Sequence, residues 1–407
     1  LRHFRGEYER HIVNKRCDAF VCKQLVGAPC QSACPVGTQV WRYVAHLRRG
    51  EFEDAYRVIR RTNPFPSVCG RVCHHPCEDR CRAGASGDEP ISIRVLKRFA
   101  TENVSPEAVA PFEHPKAGSD APSVAVVGAG PAGLTAAHEL SMQGCRVTVF
   151  EAEAEPGGLL LAAIPEFRLP RDVVRREINS LIDDNITLKC DTALGRDFTV
   201  DGLLNQGFDA VFVAIGAHKD RRLNLEGEDV DGVYPALEFL KGFNLHGKSL
   251  AKGRVGIIGG GNCAVDAARI AVRQEGVESV TIIYRRTRHE MPAFEEEIDA
   301  AIEEGVLIET LVSPLSIQRQ ESGKRAPLDE EVEAAIEEGV SIEALATPVR
   351  IHSSEGRVTG IECIRNTLGE VDSGGRRRPV PIPGSEFVIP LDTLVVAIGE
   401  EIDAECV

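Results

Sequence analysis

The sequence predicts an α/β protein of 407 residues, with a small α-helical domain ahead of two βαβ folds. Three observations predict it. Eight of the thirteen cysteines crowd into residues 17–81 as two quartets, Cys17, Cys22, Cys30 and Cys34, then Cys69, Cys73, Cys77 and Cys81. From Ser123 the pattern changes to strand, glycine turn, helix and strand. The same arrangement returns at Arg254.

Between the cysteine quartets, Thr38 is placed to cap a helix whose apolar positions Val40, Val44 and Leu47 recur at helical spacing, and Gly50 ends it. A second helix runs from Phe52 to Ile59 and stops at Asn63-Pro64-Phe65-Pro66. Residues 1–104 therefore read as a small α-helical domain, and 105–122, containing Pro, Gly and Ser, as a linker. Thiolates at three- or four-residue intervals on a turning backbone converge on one point, and Cys34-Pro35 resembles the end of many cluster-binding runs. Eight sulfurs suffice for two 4Fe-4S clusters. Structural zinc would favour C-x2-C pairs, which are missing here, and disulfides would need an oxidising compartment. Cys145, Cys190, Cys263, Cys363 and Cys406 are scattered singly and read as small buried side chains.

In the first βαβ fold, expected over residues 123–245, Val124 to Val127 is a buried strand and Gly128-Ala-Gly130-Pro-Ala-Gly133 the turn. Leu134 to Gln143 is the helix, and Arg146 to Phe150 the next strand, with Glu151 at its end. Glycines at these positions permit a tight turn, close approach to a pyrophosphate and close helix packing, while the acid can accept a hydrogen bond from a ribose hydroxyl. The second fold, expected over 246–390, repeats the scheme with a strand from Arg254 to Ile258 and the turn Gly259-Gly-Gly261-Asn-Cys-Ala264. A helix to about Gln274 and a strand from Val280 to Tyr284 follow. This strand ends in Tyr284-Arg285-Arg286, with no acid. Arginines there suit the 2′-phosphate of NADP, whereas an acid suits the free 2′-hydroxyl of NAD; the alternative is a solvated surface pair. Residues 391–407 read as a truncated return to the first fold. Two Rossmann-like folds imply two dinucleotides. Joined to iron–sulfur clusters, they form an electron path from a nicotinamide through a flavin.

Composition narrows the partners. A formal net charge of −15 and a pI near 5.3 disfavour nucleic acid and anionic lipid surfaces. The longest apolar stretches, such as Arg254 to Gly261 and Thr393 to Gly399, are far shorter than a bilayer-spanning helix. A cytoplasmic protein without direct membrane insertion is expected. Leu1 in place of Met, and an end just after a strand-like run, read as cuts through a longer polypeptide.

The cysteine domain, Gly128–Gly133, Pro156-Gly157-Gly158, Ile164-Pro165-Glu166-Phe167-Arg168-Leu169-Pro170, Ala214-Ile215-Gly216, Tyr284-Arg-Arg286 and Glu290-Met-Pro-Ala293 together resemble the glutamate synthase small-chain family. That family includes the N-terminal half of dihydropyrimidine dehydrogenase. The resemblance implies FAD on the first glycine loop with Glu151 at its ribose, and NADPH or NADH on the second. It places Pro165 and Arg168 near the flavin ring. It also implies interleaved cluster ligands: Cys17, Cys22, Cys30 and Cys81 for one, and Cys34, Cys73 and Cys77 for the other. The relative's eighth ligand is a glutamine aligned with Lys97; a protonated lysine has no lone pair, and Cys69 is the replacement expected. The family continues beyond the strand before Gly399 into a segment whose Gly-Asp contacts FAD. Residues 1–12, with Lys15-Arg16-Cys17, resemble the C-terminal end of NADH-binding flavoprotein subunits of complex I-like dehydrogenases fused to this module.

Residues 295–317 recur as 329–351, each copy reading as an acidic helix, a glycine turn and a strand. The expected activity is an FAD-dependent NAD(P)H oxidoreductase module, with no acid–base pair or nucleophile of its own, acting within a larger complex of further subunits or domains. Its rivals are a glutamate synthase small chain serving an amidotransferase, and a non-catalytic assembly subunit. If both quartets bind clusters, anaerobically purified protein should be brown and carry about eight iron and eight sulfide per chain. Stoichiometric zinc without visible absorption would overturn that assignment.

Overall fold

The computed structural model describes residues 28–104, 106, 109, 113–309, 312–317, 347–354, 356–372 and 376–403. Residues 1–12, Cys17, Cys22 and Cys406 lie outside them, as does most of the second copy of the duplication. The described residues form two compact units, 28–113 with 179–181, and 114–178 with 182–403.

The first unit is helical: α1 (Pro29–Ala33), α2 (Val40–Arg48), α3 (Phe52–Arg60), α4 (Pro66–Val72), α5 (Pro76–Asp79), α6 (Arg82–Ala85) and α7 (Ile93–Glu102). Tyr43 and Val40 of α2, Ala55 and Ile59 of α3, and Ile93 and Ala100 of α7 share one buried core with Cys77. The Tyr43 hydroxyl, fully buried, donates to the carbonyl of Ile93 at 3.2 Å, which satisfies its polar end. Thr38 does not cap α2. Its buried hydroxyl pairs with that of Thr62 at 3.1 Å, and Gln39 takes the N-cap position without a side-chain bond. The Asn63 side chain accepts from the backbone N–H of Phe65 at 3.1 Å, fixing the turn after α3.

The second unit contains two parallel sheets of like build. In the first, the order is β3-β2-β1-β4, with β1 (Ser123–Val127), β2 (Arg146–Phe150), β3 (Ile186–Lys189) and β4 (Ala210–Val213). Val124 to Val127 are all buried, as a strand covered on both faces requires. Helix α8 (Pro131–Met142) joins β1 to β2. After β4 come β5 (Lys219–Asp220), β6 (Val233–Pro235) and helix α12 (Ala236–His246), which follows α9 (Leu159–Ala162), α10 (Arg171–Asn179) and α11 (Val200–Asn205) along the chain.

The second sheet has the order β6-β14-β7-β8-β9, with β7 (Gly253–Ile258), β8 (Val277–Ile283), β9 (Leu307–Glu309) and β14 (Thr393–Val396). Helix α13 (Asn262–Val272) joins β7 to β8, and α14 (Glu295–Glu303) precedes β9. The placement of β14 corrects the expectation that the chain has returned to the first fold by residue 391. All four of its residues are buried, and it pairs in parallel with β7, Leu394 opposite Gly256. It thereby takes the place beside β7 that β4 takes beside β1. Only beyond it does the chain turn back, where β15 (Glu400–Glu401) pairs antiparallel with β5.

A third sheet, β10-β11-β12-β13, was not anticipated. It comprises β10 (Val312–Ile317), β11 (Thr347–Ser354), and the long hairpin β12 (Arg357–Val371) and β13 (Arg377–Pro390). The first copy of the duplication supplies α14, the turn at Gly305 and β9, then β10; β10 lies parallel to β11, which holds the last described residues of the second copy. No helix among the described residues is long and apolar enough to cross a membrane.

Candidate functional site

The two glycine loops are built alike. At Gly128 φ is +102°, and a Cβ there would sit 2.4 Å from the Ala214 carbonyl oxygen at the end of β4. At Gly259 φ is +137°, and a Cβ would sit 2.1 Å from the Ala397 carbonyl oxygen just past β14. Each carbonyl begins an Ala-Ile-Gly run, 214–216 and 397–399. Gly133 must also be glycine, since its Cβ would fall 1.8 Å from the Gly128 oxygen. Ala264, at the matching place in the second fold, is fully buried. Gly130 and Gly261, the N-caps of α8 and α13, are different: no atom lies within 4 Å of a Cβ at Gly130, and only Pro292, at 4.0 Å, near one at Gly261. Open space before a helix N-terminus with unsatisfied N–H groups fits the pyrophosphate of a dinucleotide.

Glu151 is buried at the end of β2, and its carboxylate ties the first loop together. One oxygen accepts from the backbone N–H of Ala129 at 2.7 Å, the other from that of Glu153 at 2.9 Å. Each oxygen keeps a further lone pair for a ribose hydroxyl. Gly158, at φ +54°, packs against Gly130, and the N–H of Gly157 bonds the Ala129 carbonyl at 2.9 Å. The Pro156-Gly-Gly turn thus braces the loop at Ala129 and Gly130.

At the second loop the arginine pair divides. Arg286 is buried; its Nε donates to the Arg377 carbonyl at 2.7 Å and its Nη2 to Asp372 at 2.9 Å. The expectation that both arginines face a nucleotide therefore fails for Arg286, which anchors the β12–β13 hairpin. Arg285 is exposed at the strand end, and desolvation together with the nearby charges of Arg286 and Arg376 lowers its pKa. Such a spot attracts an anion.

Pro165 is buried, and its carbonyl accepts from the N–H groups of Arg168 and Leu169, both at 3.0 Å. The Arg168 side chain reaches α13 and α14, with Nη1 on both oxygens of Asp266 at 2.6 Å and Nε beside Glu297 at 2.7 Å. Arg269 then joins Glu297 at 2.5 Å and Glu304 at 2.7 Å, while Arg273 also pairs with Glu304. The guanidinium groups of Arg269 and Arg273 lie over the ring of Phe167, 4.6 and 4.1 Å from its centre. Burial pushes the Asp266 carboxyl up to about 7, against the opposing pull of Arg168. Sequence reasoning missed Asp266, Glu297 and Glu304. An acid amid the alanines and valines of 264–272 was the available signal.

The described thiols fall into two electrostatic groups. Burial raises the Cys30 thiol, with a smaller push from Cys81, whereas Cys77 feels Cys73 and Cys34. Burial pushes Cys77 up to about 11, while backbone and Thr38 hydrogen bonds bring Cys34 down. The buried Lys97 is the cation that acts on both Cys34 and Cys77. Cys69 instead points its S–H at the side-chain amide oxygen of Asn63, 3.6 Å away. Among the described residues no three thiol sulfurs lie within 4.8 Å of one another. A tetrahedral zinc site needs sulfurs about 3.8 Å apart, closer than any three of the described thiols come. A cavity of about 1080 Å³, lined by His218, Lys219, Arg222, Lys241 and Glu401 together with Val233, Leu237 and Val396, was not foreseen.

Residues 122–407 match the family model of pyridine nucleotide-disulphide oxidoreductases, and residues 5–109 that of dihydropyrimidine dehydrogenase domain II, 4Fe-4S cluster. The chain belongs to the pyridine nucleotide-disulphide oxidoreductase family. It combines a 4Fe-4S domain with an oxidoreductase fold of the FAD- and NAD(P)H-binding type. The NADPH-Fe(3+) oxidoreductase subunit beta of Geobacter sulfurreducens is 38% identical over 99% of this chain and 56% of its own length. The NADP(+)-dependent formate dehydrogenase subunit beta of Moorella thermoacetica is 37% identical over 94% and 52%. For the glutamate synthase [NADPH] small chain of Escherichia coli the figures are 33%, 91% and 73%. The chain thus spans about half the length of the first two relatives. The solved structure of Mycobacterium tuberculosis FprA in complex with NADPH shares the fold, with a TM-score of 0.53 at 21% identity over 69% of this chain and 71% of that one.

Alanine substitutions should separate the two kinds of glycine. Gly128→Ala and Gly259→Ala should each cost about 2–5 kcal/mol of stability, from the left-handed backbone and the carbonyl clash together. Gly130→Ala and Gly261→Ala should leave the melting temperature nearly unchanged and weaken nucleotide retention. A Gly128→Ala protein melting with the wild type would contradict the packing described.

Proposed function

We propose that this chain is the NAD(P)H-oxidising module of a larger cytoplasmic electron-transfer complex, carrying FAD on the Gly128–Gly133 loop, NADPH or NADH on the Gly259–Gly261 loop, and two 4Fe-4S clusters on the cysteine sets. The observation that carries this is the like construction of the two loops within one compact unit, each open at its second glycine. FAD held on the first loop would supply hydride exchange with a nicotinamide and single-electron exchange with the clusters. The protein's part is to bind and orient: Glu151 and Gly158 shape the first loop, Ala264 lets α13 approach the sheet closely, and Arg285 offers a cation at the strand end. Pro165 and Arg168 stand as candidates for the flavin side. With Arg168 held by two carboxylates, its role there is to place the 165–170 backbone.

For the clusters, Cys17, Cys22, Cys30 and Cys81 form one proposed set, and Cys34, Cys69, Cys73 and Cys77 the other. Lys97 compensates charge beside the second set. The resemblance of residues 1–12 to NADH-binding flavoprotein subunits supports a fusion or partner of that kind. A second reading, a small chain that supplies electrons to an amidotransferase, draws support from the Escherichia coli relative of that name, of which this chain covers 73%. Co-purification followed by mass spectrometry distinguishes the two partners. Reduction of viologen by NADPH or NADH, assayed on the full-length protein, tests both against a non-catalytic role.

Because Arg286 is committed to Asp372, Arg285 alone should discriminate nucleotides. Arg285→Ala should raise KM for NADPH roughly tenfold or more while sparing NADH, as a charge-assisted phosphate contact contributes ~1.5–3 kcal/mol. Equal effects on both would reduce Arg285 to a surface charge. In the cluster domain, Cys69→Ala should remove or convert one cluster, whereas Lys97→Met should leave the iron content intact and lower that cluster's reduction potential. Full iron in Cys69→Ala would exclude it as a ligand.

A further inference from the structure

The two glycine loops are joined by a continuous path of contacts. Gly158 packs on Gly130 of the first loop; from it the chain runs through α9, whose terminal carbonyls at Ala162 and Ala163 accept from the Asn244 side chain of α12, into the 165–170 segment. There Arg168 grips Asp266, with both oxygens at 2.6 Å. Asp266 stands four residues past Asn262, the first residue of α13, and so about 6 Å along the helix from the second loop. Both side chains are only 6% exposed, and the pair therefore sits where neighbouring charge is poorly screened.

We propose that Asp266 is a positioning residue that acts through Arg168, as a charge-sensitive latch between the loops. The reading that the second loop binds a dinucleotide underlies this. The two negative charges of a pyrophosphate at the N-terminus of α13 disfavour the ionised form of Asp266. The carboxylate then takes up a proton from solvent, its charge is lost, and Arg168 with the 165–170 segment is held less tightly. The charged and titratable groups that act with Asp266 are Arg168 from that segment, Glu297 from α14, and Arg269 and Cys263 from its own helix. Glu297 works in the same direction as the incoming pyrophosphate, and the two arginines oppose it. With its carboxyl raised by burial to about 7, Asp266 is poised for such an exchange at neutral pH. Since this folded value lies above that of an unfolded aspartate, proton uptake favours the folded chain. Slackening below pH 7 is accordingly local, without loss of overall stability from this group.

The test is calorimetric titration of NADP+ and of NAD+ into the full-length, cofactor-loaded protein at pH 7, in buffers of differing ionisation enthalpy. Upward displacement of the Asp266 titration by one unit from 7 gives an uptake of about 0.4 proton per nucleotide bound. Asp266→Asn should bind nucleotide with uptake close to zero. Amide hydrogen exchange over 165–170 should quicken on binding in the wild type and stay unchanged in the variant. Should Asp266→Asn fail to fold, Arg168→Met serves instead: it leaves Asp266 already protonated, so uptake again vanishes and exchange is fast from the start. Nucleotide binding with no proton uptake in the wild type, or with equal uptake in wild type and variant, would overturn the latch while leaving the nucleotide reading intact. No binding of either nucleotide would sink both.

Discussion

A carbonyl oxygen fills the space that a side chain would need at the first glycine of each loop. Ala214 does this at Gly128 and Ala397 at Gly259. The contact sets how closely β4 and β14 come to the turns, and with them the places where α8 and α13 begin. A residue with a Cβ would push the strand end out by roughly an ångström and disturb the turn from which the helix starts. The capacity of each fold to receive a dinucleotide thus depends on a missing methyl group at a buried point of the backbone.

Charge burial is the other organising constraint. Three arginines, Arg168, Arg269 and Arg273, meet Asp266, Glu297 and Glu304 between the 165–170 segment and helices α13 and α14. Such a balanced network gains little over apolar packing in net stability, because desolvation offsets most of the Coulomb attraction. What it gives is geometric: an unpartnered buried ion costs several kcal/mol, so few alternative arrangements of the segment compete with the one seen. The stacking of Phe167 beneath two of the guanidinium groups adds to that selection.

Legibility followed sequence distance. The strand–turn–helix units around Gly128 and Gly259 were readable because glycine spacing and apolar runs act over some twenty residues. Helices α2 and α3 were readable for the same reason. Thr38 was misassigned as a cap, since its partner, Thr62, lies 24 residues away. The commitment of Arg286 to Asp372 spans 86 residues, and nothing near Tyr284 announces it. The apolar run at β14 looks the same whichever sheet it enters; its membership is settled by pairing with β7, more than a hundred residues earlier. At Cys69 and Lys97, the lone-pair argument was sound as chemistry, but it could not show which side chain turns toward Cys34 and Cys77.

The pairing of β5 with β15 gives the second unit a distinctive mechanics. The chain leaves the first sheet after Val213 and, once β14 is complete, its returning segment lies antiparallel on the outgoing one, Glu400 against Asp220 and Glu401 against Lys219. The outbound and inbound connections are therefore two plies of one ribbon. A ribbon of this kind twists readily about its long axis but resists stretching and sideways bending. A displacement of one fold against the other must carry both strands of this short pairing together or part them, and that coupling is written into the backbone rather than into any side chain.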